Sequence, residues 1–146
     1  MKGIRTICML AVLSLVAGSR GLGAEEQSPL YLAVVEISDA RAAAWRSILD
    51  NVENLQDNLL PERTGIELVV HDRGLSLFLK QDNPLGERLR MLAGRGVVLA
   101  ACRNTMSLWN IQKDDLLPFV ITVDSGVAEI VRRQADGWAY LKGGSS

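Results

Sequence analysis

Val97-Val98-Leu99-Ala100-Ala101-Cys102-Arg103-Asn104-Thr105 is the stretch on which the fold turns. Val97 to Ala101 reads as a short buried strand, and a helix start follows it with no hairpin signal between. A strand that feeds directly into a helix is the repeating unit of an α/β domain. Cys102 sits at the junction, at the exit of the strand and beside the Arg103 guanidinium. Thiolates are the reactive form of cysteine, and both a cation and a helix N-terminus favour them.

The same alternation extends in both directions. Upstream, Tyr31 to Ile37 is a nearly continuous apolar run, as expected of a strand covered on both faces. Ser38 and Asp39 offer a cap for a helix over Ala40 to Gln56, with Trp45, Ile48, Leu49, Val52 and Leu55 on its buried stripe. A turn at Pro61 to Gly65 leads into a second strand, Ile66 to His71, which ends on the only histidine of the chain. Leu75 to Lys80 reads as a short helix or a covering loop. Asp82-Asn83-Pro84 then starts a helix that buries Leu85, Leu89 and Leu92. Gly94 is its expected left-handed stop.

Downstream of Cys102, a short helix is expected over Thr105 to Ile111 and a fourth strand over Phe119 to Val123. Asp124-Ser125-Gly126 leads into a helix over Val127 to Asp136 that buries Val127, Ile130 and Val131, with Gly137 ending it. A last strand, Trp138 to Leu141, precedes a tail, residues 143–146, expected to be disordered. The predicted architecture is one three-layer α/β/α domain, residues 25–142, around a mostly parallel five-stranded sheet. In such sheets functional groups gather at the carboxyl ends of the strands. His71, Cys102 and the Asp124-Ser125-Gly126 turn all fall at such ends.

The front of the chain reads as an export signal, residues 1–24. Lys2 and Arg5 precede an apolar stretch from Ile7 to Ala17, and small residues up to Ala24 offer cleavage sites. The expected location is therefore periplasmic or secreted, with no membrane attachment after cleavage. The apolar stretch is well short of the roughly 20 residues that span a bilayer. Cys8 would leave with the signal, making Cys102 the single cysteine of the mature chain. No internal disulfide is then available, and Cys102 packs, pairs with another chain, or reacts.

Of the 16 basic residues in the whole chain, Lys2, Arg5 and Arg20 lie in the signal, while all 17 acids remain. The mature chain is mildly acidic, which argues against nucleic-acid binding. There is no glycine-rich phosphate loop and no Cys-x-x-Cys pair. One histidine and one mature cysteine cannot make a conventional zinc site within one subunit. Neither a metal nor a cofactor is called for by these residues.

Val69-Val70-His71, Ala101-Cys102-Arg103-Asn104-Thr105, Ser125-Gly126-Val127-Ala128-Glu129 and Gln134-Ala135-Asp136-Gly137-Trp138-Ala139-Tyr140, in this order, resemble the DsrE/DsrF-like family, in its YchN-like branch. The resemblance runs from about Tyr31 to Leu141. It implies a three-layer α/β/α domain, assembly as a trimer or hexamer, and sulfur carried as a persulfide on a cysteine, for which Cys102 is the matching position. A partner protein or a small sulfur compound would donate or accept that sulfur. The relatives whose sulfur relay is understood are cytoplasmic, whereas this chain carries an export signal.

Around Cys102, Arg103 is expected either to stabilise the anion or to be a solvated surface arginine, and Asn104 to hold the outer sulfur or cap a helix. His71 is a candidate to activate the thiol or a structural hydrogen-bonder. Asp124, Ser125 and Gly126 make either an anion site or a plain helix cap, and Glu129 could reach the rim. Trp109, Trp138 and Tyr140 read as core or subunit-interface residues. The competing reading of the whole is a non-catalytic oligomeric binding or structural module in which Cys102 only packs or borders a small-molecule pocket.

Overall fold

The computed structural model describes residues 31–59 and 64–143; the expected signal, the residues joining it to Tyr31 and the last three residues lie outside this range. Five strands run in the order β1 (Tyr31–Ile37), β2 (Thr64–Val70), β3 (Val98–Cys102), β4 (Ile121–Val123) and β5 (Ala139–Gly143). Between them lie α1 (Ala42–Asn58), α2 (Gly86–Gly94), α3 (Arg103–Leu108) and α4 (Gly126–Ala135). The sheet order is β4-β3-β2-β1-β5 and every pairing is parallel. The mostly parallel sheet expected from the sequence is thus entirely parallel, with helices on both faces.

The two faces are unequal. On one, Val35, Ile37, Leu68, Val70, Leu99 and Ala101 pack against Ile48, Leu49 and Val52 of α1 and Leu89 and Leu92 of α2. On the other, Val34, Val69 and Ala100 meet only Ile130 of α4, with Val123 and Trp138 at the margin. Strand side chains alternate between faces, so neighbouring valines such as Val34 and Val35 serve different layers, which is why the runs look continuously apolar.

Several boundaries differ from the sequence expectation. Asp39 does not cap α1 directly; its carboxylate accepts the Arg41 N–H at 2.7 Å, and the helix starts at Ala42 rather than Ala40. The segment expected as a short helix or a covering loop over Leu75 to Lys80 is a 3-10 helix that begins earlier, Asp72–Phe78, whose Leu75, Leu77 and Phe78 are fully buried. Asn83 holds the approach to α2, accepting the Leu85 N–H at 2.9 Å and donating to the carbonyls of Leu77 and Leu79. The left-handed stop after α2 is Gly96, with φ of 90°, while Gly94 remains helical. An unexpected 3-10 turn, Lys113–Asp115, precedes β4.

Two corrections concern the end of the chain. In α4 only Ile130 is buried among the three apolar residues expected there; Val127 and Val131 are 58% and 59% exposed. The stripe facing the sheet is instead Gly126, Glu129, Ile130 and Arg133, which follows helical spacing equally well. Gly143, expected as the first residue of a disordered tail, is instead a buried member of β5 opposite Ile37, and the rest of that expected tail lies outside the described residues. Gly137 does end α4 in the left-handed region, with φ of 86°.

Gly74 shows how closely the connection after β2 approaches β1. A Cβ there would lie 2.6 Å from the Ile37 carbonyl oxygen and 2.9 Å from its Cγ2. Backbone cannot yield as a flexible side chain can, so Gly74→Ala is expected to cost about 2 kcal/mol, read as a lower midpoint in urea unfolding with an unchanged slope.

Candidate functional site

Parallel pairing brings the ends of β1, β2, β3 and β4 to one edge of the sheet. Cys102 is the last residue of β3 and stands at the N-cap position of α3, without a side-chain cap bond. It is 4% exposed, yet its sulfur does not lie among apolar atoms alone. The backbone N–H of Gly126, the backbone N–H and hydroxyl of Thr105, and the Asn104 N–H are directed at it. Burial pushes the Cys102 thiol up, but these donors outweigh it and hold the thiol below its usual range.

Each donor is placed by a separate piece of the fold. The Thr105 oxygen accepts the Asp72 N–H at 3.0 Å, which leaves its own proton for the sulfur. Asp72 reaches it from a left-handed conformation, φ 46°, at the exit of β2. Such a φ is uncommon outside glycine, although aspartate tolerates it better than most residues. Gly126 opens α4, and a Cβ on it would lie 3.1 Å from the Cβ of His71 and 3.3 Å from that of Cys102. Glycine at this position lets the helix start come close enough to donate.

The sequence candidates therefore divide. Cys102, Gly126 and His71 meet, and Asn104 joins them through its backbone N–H while its side chain is exposed. Arg103 is exposed and is not among the leading groups that lower the thiol. Ser125 caps α4, its hydroxyl accepting the Ala128 N–H at 3.4 Å. Asp124 pairs with Arg132 at 2.5 Å, and Glu129 is occupied by Arg132 and Arg133 rather than reaching the rim.

His71 belongs to a second polar group that the sequence did not single out. Its Nε2 lies 2.8 Å from Glu36 Oε1, and the Tyr140 hydroxyl donates to Glu36 Oε2. Burial pushes the Glu36 carboxyl up, but hydrogen bonds from Tyr140 and His71 hold it below the usual carboxylate range. The same bond to Glu36 drives the Tyr140 hydroxyl up to about 12. Facing a carboxylate, Nε2 is the ring nitrogen that donates. The hydrogen bond of the His71 ring thus goes to Glu36. Tyr140, expected as a core or interface residue, is half-exposed and serves this carboxylate. A hint was present in the sequence: Glu36 is the single charge in the strand Tyr31–Ile37. Among the described residues, no group of three or more His, Cys, Asp and Glu side chains is arranged to hold a metal ion.

The sequence profile of the DsrE/DsrF-like family matches residues 38–142. The chain belongs to the DsrE/DsrF-like family. Among solved structures it is similar to a protein of unknown function from Methanobacterium thermoautotrophicum, at 35% identity and a TM-score of 0.73, over 77% of this chain and 98% of that one. It also shares its fold with the YchN protein of E. coli, at 13% identity and a TM-score of 0.63, over 77% of this chain and 97% of the other. No curated protein matches the sequence.

In this DsrE/DsrF-like chain the Thr105 hydroxyl is the one side-chain group among the leading donors that lower the thiol, after the backbone N–H groups of Gly126 and Thr105. Thr105→Val removes that donor and also leaves the Asp72 N–H without its acceptor. Below its pKa the thiolate fraction falls about tenfold for each unit the pKa rises. Iodoacetamide alkylation of Cys102 in Thr105→Val is therefore expected to be several-fold slower at pH 7, with its pH profile displaced upward. An unchanged profile would show that the hydroxyl does not act on the sulfur.

Proposed function

We propose that this protein binds or transfers sulfane sulfur as a persulfide on Cys102. The observation that carries the reading is the set of four N–H and O–H donors directed at a single sulfur. Fixed donors of this kind stabilise an anion without reorganising. The thiolate attacks the sulfane sulfur of a donor such as thiosulfate or a polysulfide. A sulfur–sulfur bond to Cys102 forms, the bond from that sulfur to its former carrier breaks, and the carrier leaves with the electron pair. Neither an external oxidant nor a reductant is needed, and the persulfide is reversible. The acceptor, a thiol of a partner protein or small molecule, reverses the step.

His71 and Gly126 border the sulfur in this reading, and Asn104 contributes through its backbone. Residues 1–24 serve as a cleaved export signal, placing the protein in the periplasm or outside the cell. A homo-oligomer, trimeric or hexameric as the family resemblance implies, is the expected working form. Whether such a protein turns over as a sulfurtransferase or acts as a stoichiometric carrier is a matter of partners rather than of these residues.

A second reading is favoured by one specific observation. Cys102 is almost fully buried, which suits a packing residue in a non-catalytic oligomeric module. Intact-protein mass spectrometry after incubation with thiosulfate or polysulfide separates the two. A gain of one or more sulfur atoms that is lost in Cys102→Ser is the expected result. A thiol that stays unmodified across donors supports the packing module instead.

A further inference from the structure

Glu67 lies in the middle of β2, opposite Val98 of β3, and is 0% exposed. Its Oε2 accepts from Arg133 Nε, while its Oε1 has no hydrogen-bond partner. A carboxylate so placed is a poor stabiliser of the fold, because the desolvation of two charges offsets much of their attraction. Its position relative to α4 offers a different use.

α4 crosses this face with its start at the cysteine end of the strands and Arg133 two turns further back. Cys102 is four residues beyond Val98, about 13 Å from Glu67 along β3. Gly126 and Arg133 are separated by seven residues, about 10 Å of helix. The helix therefore touches the sheet at two polar points, the Gly126 N–H on the sulfur and Arg133 on Glu67. Between them the apolar contact is thin, since Ile130 is buried and Val127 and Val131 are not. Arg133 also stacks over the Trp138 ring at 4.8 Å and pairs with Glu129 at 3.0 Å, so its direction is fixed from three sides.

We propose that Glu67 is a positioning residue for the thiol: by holding Arg133 it seats α4 at the depth that places the Gly126 N–H on the Cys102 sulfur. This rests on Cys102 being the reacting group, but not on the identity of what it reacts with. The groups around each end are accounted for. Glu67 faces Arg133, Glu129 and Arg132 of α4. Cys102 faces the donors of Gly126, Thr105 and Asn104, with His71 beside it and Arg103 in solvent. Burial pushes the Glu67 carboxyl up and Arg133 pulls it down, with burial prevailing. Hydrogen bonding to Arg133, rather than full charge, is therefore the feature to preserve.

The test is the pH profile of Cys102 alkylation by iodoacetamide in the full-length protein, for the unmodified sequence, Glu67→Leu and Glu67→Gln. Glutamine keeps an oxygen for Arg133 and leucine does not. The expected result is a rate at pH 7 lower by about tenfold in Glu67→Leu, as for a thiol raised by one unit, and within about twofold of the original in Glu67→Gln. A profile unmoved by Glu67→Leu, or moved equally by both variants, overturns the proposal. If Glu67→Leu does not fold, Arg133→Met decides by the same readout: it keeps an unbranched apolar stem but loses the bond to Glu67, and an unmoved profile overturns the proposal. Alkylation needs no sulfur donor. A protein that shows these profiles but never takes up sulfane sulfur would overturn the proposed function and leave the positioning role standing.

Discussion

The close approach of α4 to the end of β3 is the constraint around which this edge of the molecule is arranged. Cys102 is at once the last residue of a strand and the N-cap position of a helix, and a second helix start must come within donor range of its sulfur. Room for that approach exists because residue 126 has no side chain. Exposure and polarity, which usually vary together, are separated here. The sulfur is withdrawn from bulk water, but the groups that replace water around it are hydrogen-bond donors with fixed directions. Withdrawal alone would make the thiol inert; with the donors it becomes more acidic than an ordinary thiol.

The two faces of the sheet divide the labour. The face under α1 and α2 is closed by apolar packing. The other carries Glu36, Glu67, His71 and Cys102 at alternating strand positions, with α4 as a partial cover. An apolar helix stripe would leave those polar groups unsatisfied. α4 accordingly presents a glycine, a glutamate, an isoleucine and an arginine to the sheet, and turns both of its valines outward.

This division also explains what could be read from the sequence. Strand β1 was legible residue for residue, because a continuous apolar run flanked by a helix start has few alternative meanings. The parallel α/β architecture followed from the alternation, and the edge carrying His71, Cys102 and Gly126 followed from the architecture. The orientation of α4 was not legible. Val127, Ile130 and Val131 form as good a stripe as Gly126, Glu129, Ile130 and Arg133, and the choice between them depends on Glu67, which sits 66 residues away from Arg133. Glu36 was missed for the same reason, since its partners His71 and Tyr140 lie 35 and 104 residues distant. A lone charge in an apolar strand announces that a partner exists without saying where. Thr105, one turn after Cys102, looked like an ordinary helix residue until the left-handed Asp72 showed what holds its oxygen.

The pairing of β5 with β1 sets the order in which the molecule can be completed. β1 is an interior strand, flanked by β2 on one side and by the last strand of the chain on the other. Until β5 arrives, an apolar strand made for the interior has an unprotected edge, a template for joining other chains. Contacts between residues as far apart as Glu36 and Tyr140, 104 positions, are also slow to form, because the loop they close is long. The last few residues of β5, including a buried glycine and a tyrosine that serves the Glu36 carboxylate, thus act as the latch of the sheet. A chain cut short before them would lose far more than its own few residues of structure, exposing the edge of an apolar interior strand.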